Sequence, residues 1–207
     1  MQIIDNITNT LKDDLQVTIK RGSKVSIAAA CFSIYAYKEL KKQLENIDEL
    51  RFIFTSPTFT TEKASKAQRE FYIPRISRES SLYGTEFEVK LRNELTQKAI
   101  AKECADWIRR KVTFKSNVTQ EQMIGFMAVD QTAYMPINGF STVDLGCERG
   151  NNAYYPVQKT ENYENSGYFI KLFEQLWNDK KRLQEVTDIV IENISVAYRE
   201  NAPEYIY

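Results

Sequence analysis

The chain has 207 residues, of which 43% are hydrophobic, and its 28 Lys and Arg balance 28 Asp and Glu to a formal net charge of zero. That length and apolar content suit a single domain, 1–207, that buries its own core without disulfide or metal staples. Histidine is absent, which excludes histidine nucleophiles, Ser-His and Cys-His dyads, histidine general bases and histidine metal ligands from this chain.

Taken in order, Ile7, Leu11, Leu15 and Ile19 recur every four residues and predict an amphipathic helix running to Arg21, with Gly22 as its stop. Val25 to Phe32 is a nearly unbroken apolar run and predicts a strand buried on both faces, as in a parallel sheet. Ser33 can cap a helix whose Tyr37, Leu40, Leu44 and Ile47 form one stripe, and Leu50 to Thr55 is a second buried strand. Strand, helix and strand with short links make a right-handed βαβ unit. Ser56 to Thr85 interleaves Phe59, Phe71, Tyr72 and Tyr83 with Lys63, Lys66, Arg69, Arg75 and Arg78. A long helix follows, carrying Ile100, Cys104, Trp107 and Ile108 and ending in Arg109-Arg110-Lys111. A short strand starts at Val112, and 147–152 reads as a loop before an extended piece at Tyr154, Tyr155 and Val157. Two helices close the pattern, the second from Lys181 to about Glu200 with Leu183, Val186, Val190 and Ile194 at helical spacing. The expected fold class is α/β, with a mixed, largely parallel sheet flanked by helices on both faces and two C-terminal helices.

The stretch Met123–Gly146, MIGFMAVDQTAYMPINGFSTVDLG, reads as a strand, a tight turn at Asp130-Gln131, a second short strand and a loop feeding a helix. This layout resembles the catalytic motif of phospholipase-D-like (HKD) domains: His, any residue, Lys, four residues, Asp, then a Gly-Ser-x-Asn loop. Met123 takes the His position, Gly125 the Lys position and Asp130 the Asp position; Pro136, Ile137 and Gly139 take the loop Gly, Ser and Asn. The segments VSIAAACFSIYAYKELKKQLENIDELRFIF, IAKECADWIRRKVTFKS and QLWNDKKRLQEVTDIV also resemble the branch of these domains found at the N-terminus of superfamily-two helicases. In that family the His attacks a phosphodiester, the Lys binds the phosphate and the Asn completes the pocket. Only Asp130 keeps the family residue, so the resemblance implies a catalytically inactive accessory domain. Its implied roles are nucleic-acid binding, docking of a helicase motor or dimerisation. No Walker-type phosphate loop occurs within these residues, and no cofactor is expected.

From Thr60 to Lys115 there are 13 Lys and Arg against 8 Asp and Glu; from Glu161 onward there are 5 against 9. The basic half suggests a nucleic-acid face built from Lys63, Lys66, Arg69, Arg75, Arg78, Arg109, Arg110, Lys111, Lys115 and Arg149. The expected partners are therefore DNA, the motor of the same polypeptide, and a second copy meeting across Met123, Gly125 and Ile137. The apolar end Tyr205-Ile206-Tyr207 fits continuation toward such a motor. A competing chemistry is a metal-dependent nuclease using Asp130, Asp144 and Glu148. Cys31, Cys104 and Cys147 are odd in number and lack metal-ligand spacing, which fits reduced thiols in a cytoplasm. No apolar run approaches the roughly 18 residues of a membrane span.

Overall fold

The computed structural model describes residues 1–57, 82, 94–150 and 154–199. Eight strands form one sheet in the order β1-β7-β6-β5-β2-β3-β4-β8. They are β1 (Gln2–Ile4), β2 (Lys24–Ala29), β3 (Glu49–Phe54), β4 (Val112–Asn117), β5 (Phe126–Val129), β6 (Thr132–Met135), β7 (Val157–Thr160) and β8 (Leu183–Glu185). The helices are α1 (Leu11–Thr18), α2 (Ile34–Leu44), α3 (Glu94–Lys111), α4 (Tyr163–Trp177) and α5 (Thr187–Arg199). The chain is α/β with a mixed sheet.

The expected βαβ unit is present. Ser33 caps α2 by accepting from the Tyr35 amide, and β2 and β3 pair in parallel from Lys24↔Glu49 to Ala29↔Phe54. β4 joins β3 in parallel as well, from Leu50↔Val112 to Phe54↔Ser116. Every other pairing is antiparallel, so the expectation of a largely parallel sheet is corrected. The reason is connection length. Parallel neighbours need a crossover of a dozen or more residues, whereas β5 and β6 are joined by Asp130 and Gln131 alone.

Three local expectations also change. Helix α1 begins at Leu11 rather than Ile7, because Thr10 is the cap and Ile7 lies 54% exposed in the preceding turn. That helix ends at Thr18, and Gly22 (φ 80°) instead turns the chain toward β2. The stretch after Gly139 forms turns rather than a helix, and Leu183 sits in β8 against Asn117 rather than in α5.

Alternation along the strands sorts the core into two clusters. Val25, Ile27, Phe52, Phe54, Phe114 and Met127 pack with residues of α1, α2, α3 and α5. Phe32 is the centre of this cluster, with the rings of Phe52, Phe114, Phe140 and Trp107 between 5.2 and 6.3 Å away. Cys104, fully buried among them, is a core residue whose thiol is pushed well up by burial. Ala28, Ile53 and Phe126 point the other way, into a smaller cluster with Phe173 and Leu183 that Phe169, Leu172 and Trp177 of α4 partly cover. Among the described residues no helix is long and apolar enough to cross a membrane.

Candidate functional site

In open α/β sheets ligands settle beyond the carboxyl ends of the strands, where the winding reverses. Here that point is β2, which has parallel β3 on one side and antiparallel β5 on the other. The loop after β6 is laid against it. The Ala30 amide donates to the Asn138 carbonyl and the Phe140 amide to the Cys31 carbonyl, each at 2.8 Å.

Four of the degenerate motif positions gather at this end, and around Gly125 and Gly139 the space is filled. The Ile137 amide donates to the Gly125 carbonyl at 2.9 Å. A Cβ added at Gly125 would lie 1.6 Å from the Ile137 carbonyl oxygen and 3.0 Å from that of Ala28. At Gly139 it would meet Cys31 Sγ at 2.5 Å and Asp144 Oδ2 at 2.7 Å. Ile137 is buried at 1% exposure. Met123 is half-buried against the α4 cluster and lines a polar cleft of about 490 Å³ with Thr55, Pro57 and Glu121. The face once expected to meet a second copy is thus largely consumed within the domain.

Asp130 lies at the opposite end of β2. Its backbone adopts φ 52°, which Asp tolerates in turns. Its carboxylate accepts from Ser23 Oγ at 2.7 Å and from the Lys24 amide at 2.9 Å. Those bonds tie the β5–β6 turn to the start of β2, which gives Asp130 a structural job. With six residues of β2 in between, at about 3.3 Å each, Asp130 cannot share a metal with Asp144 and Glu148. Among the described residues no group of three His, Cys, Asp or Glu could hold a metal ion.

Asp144 is the hub of the loops at the carboxyl end. It is 8% exposed and accepts from Ser141 Oγ at 2.6 Å and from the Ser141 amide at 3.2 Å. Tyr155, whose hydroxyl also accepts from the Asn138 amide at 2.6 Å, bonds it from the other side. Burial pushes the Asp144 carboxyl above its usual range despite these bonds. An acid whose pKa is raised on folding binds more protons folded than unfolded, so its contribution falls as pH rises through that window. Asp144→Asn is therefore expected to remove a decline in stability just above the ordinary carboxylate range, read as urea midpoints against pH. An unchanged profile would refute this.

The five described basic candidates do not converge. Arg109 pairs with Asp106, Arg110 with Glu45, and Lys111 donates to the Ile47 carbonyl at the end of α3. Lys115 lies on the opposite face of the sheet, bonded to the Trp177 carbonyl at 2.8 Å with its ammonium 4.5 Å from the Trp177 ring centroid. Arg149 is exposed on the loop after Cys147. Lys63, Lys66, Arg69, Arg75 and Arg78 lie outside the described residues, as does Tyr205–Tyr207.

Sequence reasoning missed Asn6, which clasps the site from the far side. Its Nδ2 donates to the carbonyls of Asp144 and Tyr155 and its Oδ1 accepts from the Leu11 amide. The signal was an Asn in a run of turn formers, Asp5 to Thr10, which the apolar spacing from Ile7 masked. No family model matches the chain, and no curated protein matches it in sequence. A solved structure that does match is that of TrmBL2, described as an archaeal chromatin protein with a novel mode of DNA binding. The match has 9% identity and a TM-score of 0.40; it covers 89% of this chain and 52% of the other, so the chain spans about half of that neighbour's length.

Proposed function

We propose that this chain is a catalytically silent phospholipase-D-like domain, an accessory module of the kind attached to helicases, whose task is to hold nucleic acid. The observation that carries the silent half is the packing at Gly125. A phosphate-binding lysine there would have its Cβ inside the van der Waals radius of a backbone carbonyl, so the backbone has closed over the space a phosphate would need. Gly139 supports the same reading, since the volume of the family's asparagine is taken by Cys31 and Asp144. Without histidine no imidazole can form the phosphoenzyme. Of the three accessory roles, dimerisation across the motif is the least supported, because Ile137 is already buried within the chain.

The purified protein is expected to leave single- and double-stranded DNA, RNA and a chromogenic phosphodiester uncleaved, with or without a chelator. Turnover that co-elutes with the protein through successive columns and survives chelation would overturn the proposal.

A further inference from the structure

We infer that the cleft between the N-terminal turn and the residues 143–149, 154 and 155 is a nucleobase site, which stacks one base on Tyr154 and meets its phosphate with Arg149. The inference deepens the nucleic-acid role proposed above and rests on it.

Three observations carry it. The cleft encloses about 250 Å³, slightly below the range of about 300–1,000 Å³ usual for small-molecule pockets. That admits one planar ring system and little more. Its rim is aromatic and aliphatic yet open to water, with Tyr154 at 82% and Ile7 at 54% exposure. Single exposed apolar residues are ordinary; two of them on the lip of one concavity, beside a cation, form a recognition surface. That cation is Arg149, which lines the cleft and forms no ion pair with any other described residue. It differs in this from Arg109 and Arg110, which are already paired.

The wall behind these groups is held by hydrogen bonds. Tyr155 is fixed by its hydroxyl bonds to Asn138 and Asp144, and Asn6 ties both loops together. A Cβ added at Gly146 (φ 77°) would stand 2.7 Å from Asn6 Oδ1, so only glycine lets the two loops approach this closely. Of the two carboxylates that line the cleft, Glu148 accepts from the Thr142 hydroxyl at 3.4 Å, and Asp5 is held far below the usual carboxylate range by the Thr8 hydroxyl and then by the amides of Ile7, Asn9 and Thr8. Asp5 is thus turned inward to its own loop, and Arg149 is left facing the incoming phosphate. A hydrogen-bonded wall, an open aromatic and a guanidinium with no ion pair among the described residues fit a base with its phosphate, because stacking accepts any base and a guanidinium grips phosphate well.

The same chemistry is offered by a free nucleotide and by a single strand, and the test separates them. Fluorescein-labelled dodecathymidylate and unlabelled dTMP are titrated against the full chain at about 50 mM salt, where phosphate contacts are strongest. The wild type is expected to bind the oligomer, and Tyr154→Ala to weaken it about tenfold, the scale of one lost stacked base. Tyr154→Phe should bind like the wild type, and Arg149→Glu should weaken binding and flatten its salt dependence. Equal displacement by dTMP, per phosphate, would assign the site to free nucleotides. Oligomer binding that Tyr154→Ala leaves unchanged would overturn the site while the nucleic-acid role stands. Failure to bind the oligomer at all would overturn that role, and binding of dTMP alone would then leave the site standing without it.

Discussion

Gly125→Lys, the change that restores the family's phosphate-binding residue, is expected to cost at least about 3 kcal/mol, the upper range for overpacking a close-packed site. The obstacle is backbone: the carbonyls of Ile137 and Ala28 stand where the new Cβ must go, and Ile137 is itself bonded to Gly125. Neither can retreat without opening the junction of β2 and β5. Met123→His, by contrast, replaces a half-buried side chain at the edge of the cleft and should shift the urea midpoint little. Gly139→Ala should fall between them, because Cys31 and Asp144 press on that position with side chains rather than with backbone. A Gly125→Lys protein with the wild-type midpoint and an unchanged m-value would show that the backbone is not closed here. A triple variant carrying histidine, lysine and asparagine at 123, 125 and 139 is expected to be unstable before it is active.

The second large effect is expected far from this site, at the ion pair beneath α1. Lys159 has 10% of its side chain exposed and bonds Asp14 at 3.0 Å, with Glu161 at 3.2 Å. Asp14 also accepts from the Tyr134 hydroxyl at 2.6 Å. Removing one member of such a pair leaves a buried charge alone and costs about 3–5 kcal/mol. Lys159→Met is expected at the lower end of that range, because Asp14 keeps Tyr134 as a partner. Asp14→Leu should cost more, since it leaves the lysine only the exposed Glu161 and takes a partner from the tyrosine as well. The double variant should recover much of the loss, and a double variant no better than the sum of the singles would sink this account. Burial lowers the Lys159 pKa, but the bonds to Asp14 and Glu161 outweigh it and leave it above the usual lysine value. A cation whose pKa is raised on folding stabilises fully below its unfolded value of about 10.4, and that share is lost as pH rises through the folded pKa.

The parts of this fold that could be read in the sequence are those whose signals are local. Ser33 before an apolar-periodic stretch marked α2, and the run from Val25 marked a strand with both faces covered. The turn at Asp130-Gln131 was legible too. What escaped depended on partners distant in sequence. Leu183 continues the spacing of α5, and only its pairing with Asn117 across the sheet makes it strand. The motif spacing located Gly125 and Gly139, but nothing local says that Ile137, Cys31 and Asp144 fill the space around them. Likewise the cleft at Tyr154 draws one wall from residues 5–7 and the other from 143–149 with 154 and 155, and no window of the sequence holds both.

The clasp made by Asn6 has a kinetic meaning. Its bond to the Tyr155 carbonyl spans 149 residues, and the strand just before it pairs Gln2 with Lys159. Closing so long a loop is the entropically expensive step, whereas β2, α2 and β3 are contiguous and can assemble early. The clasp therefore belongs to the last stage of folding and the first of unfolding. Weakening it should leave the refolding rate nearly untouched and hasten unfolding. The same ordering means that the walls of the Tyr154 cleft come together only once the rest of the sheet is in place.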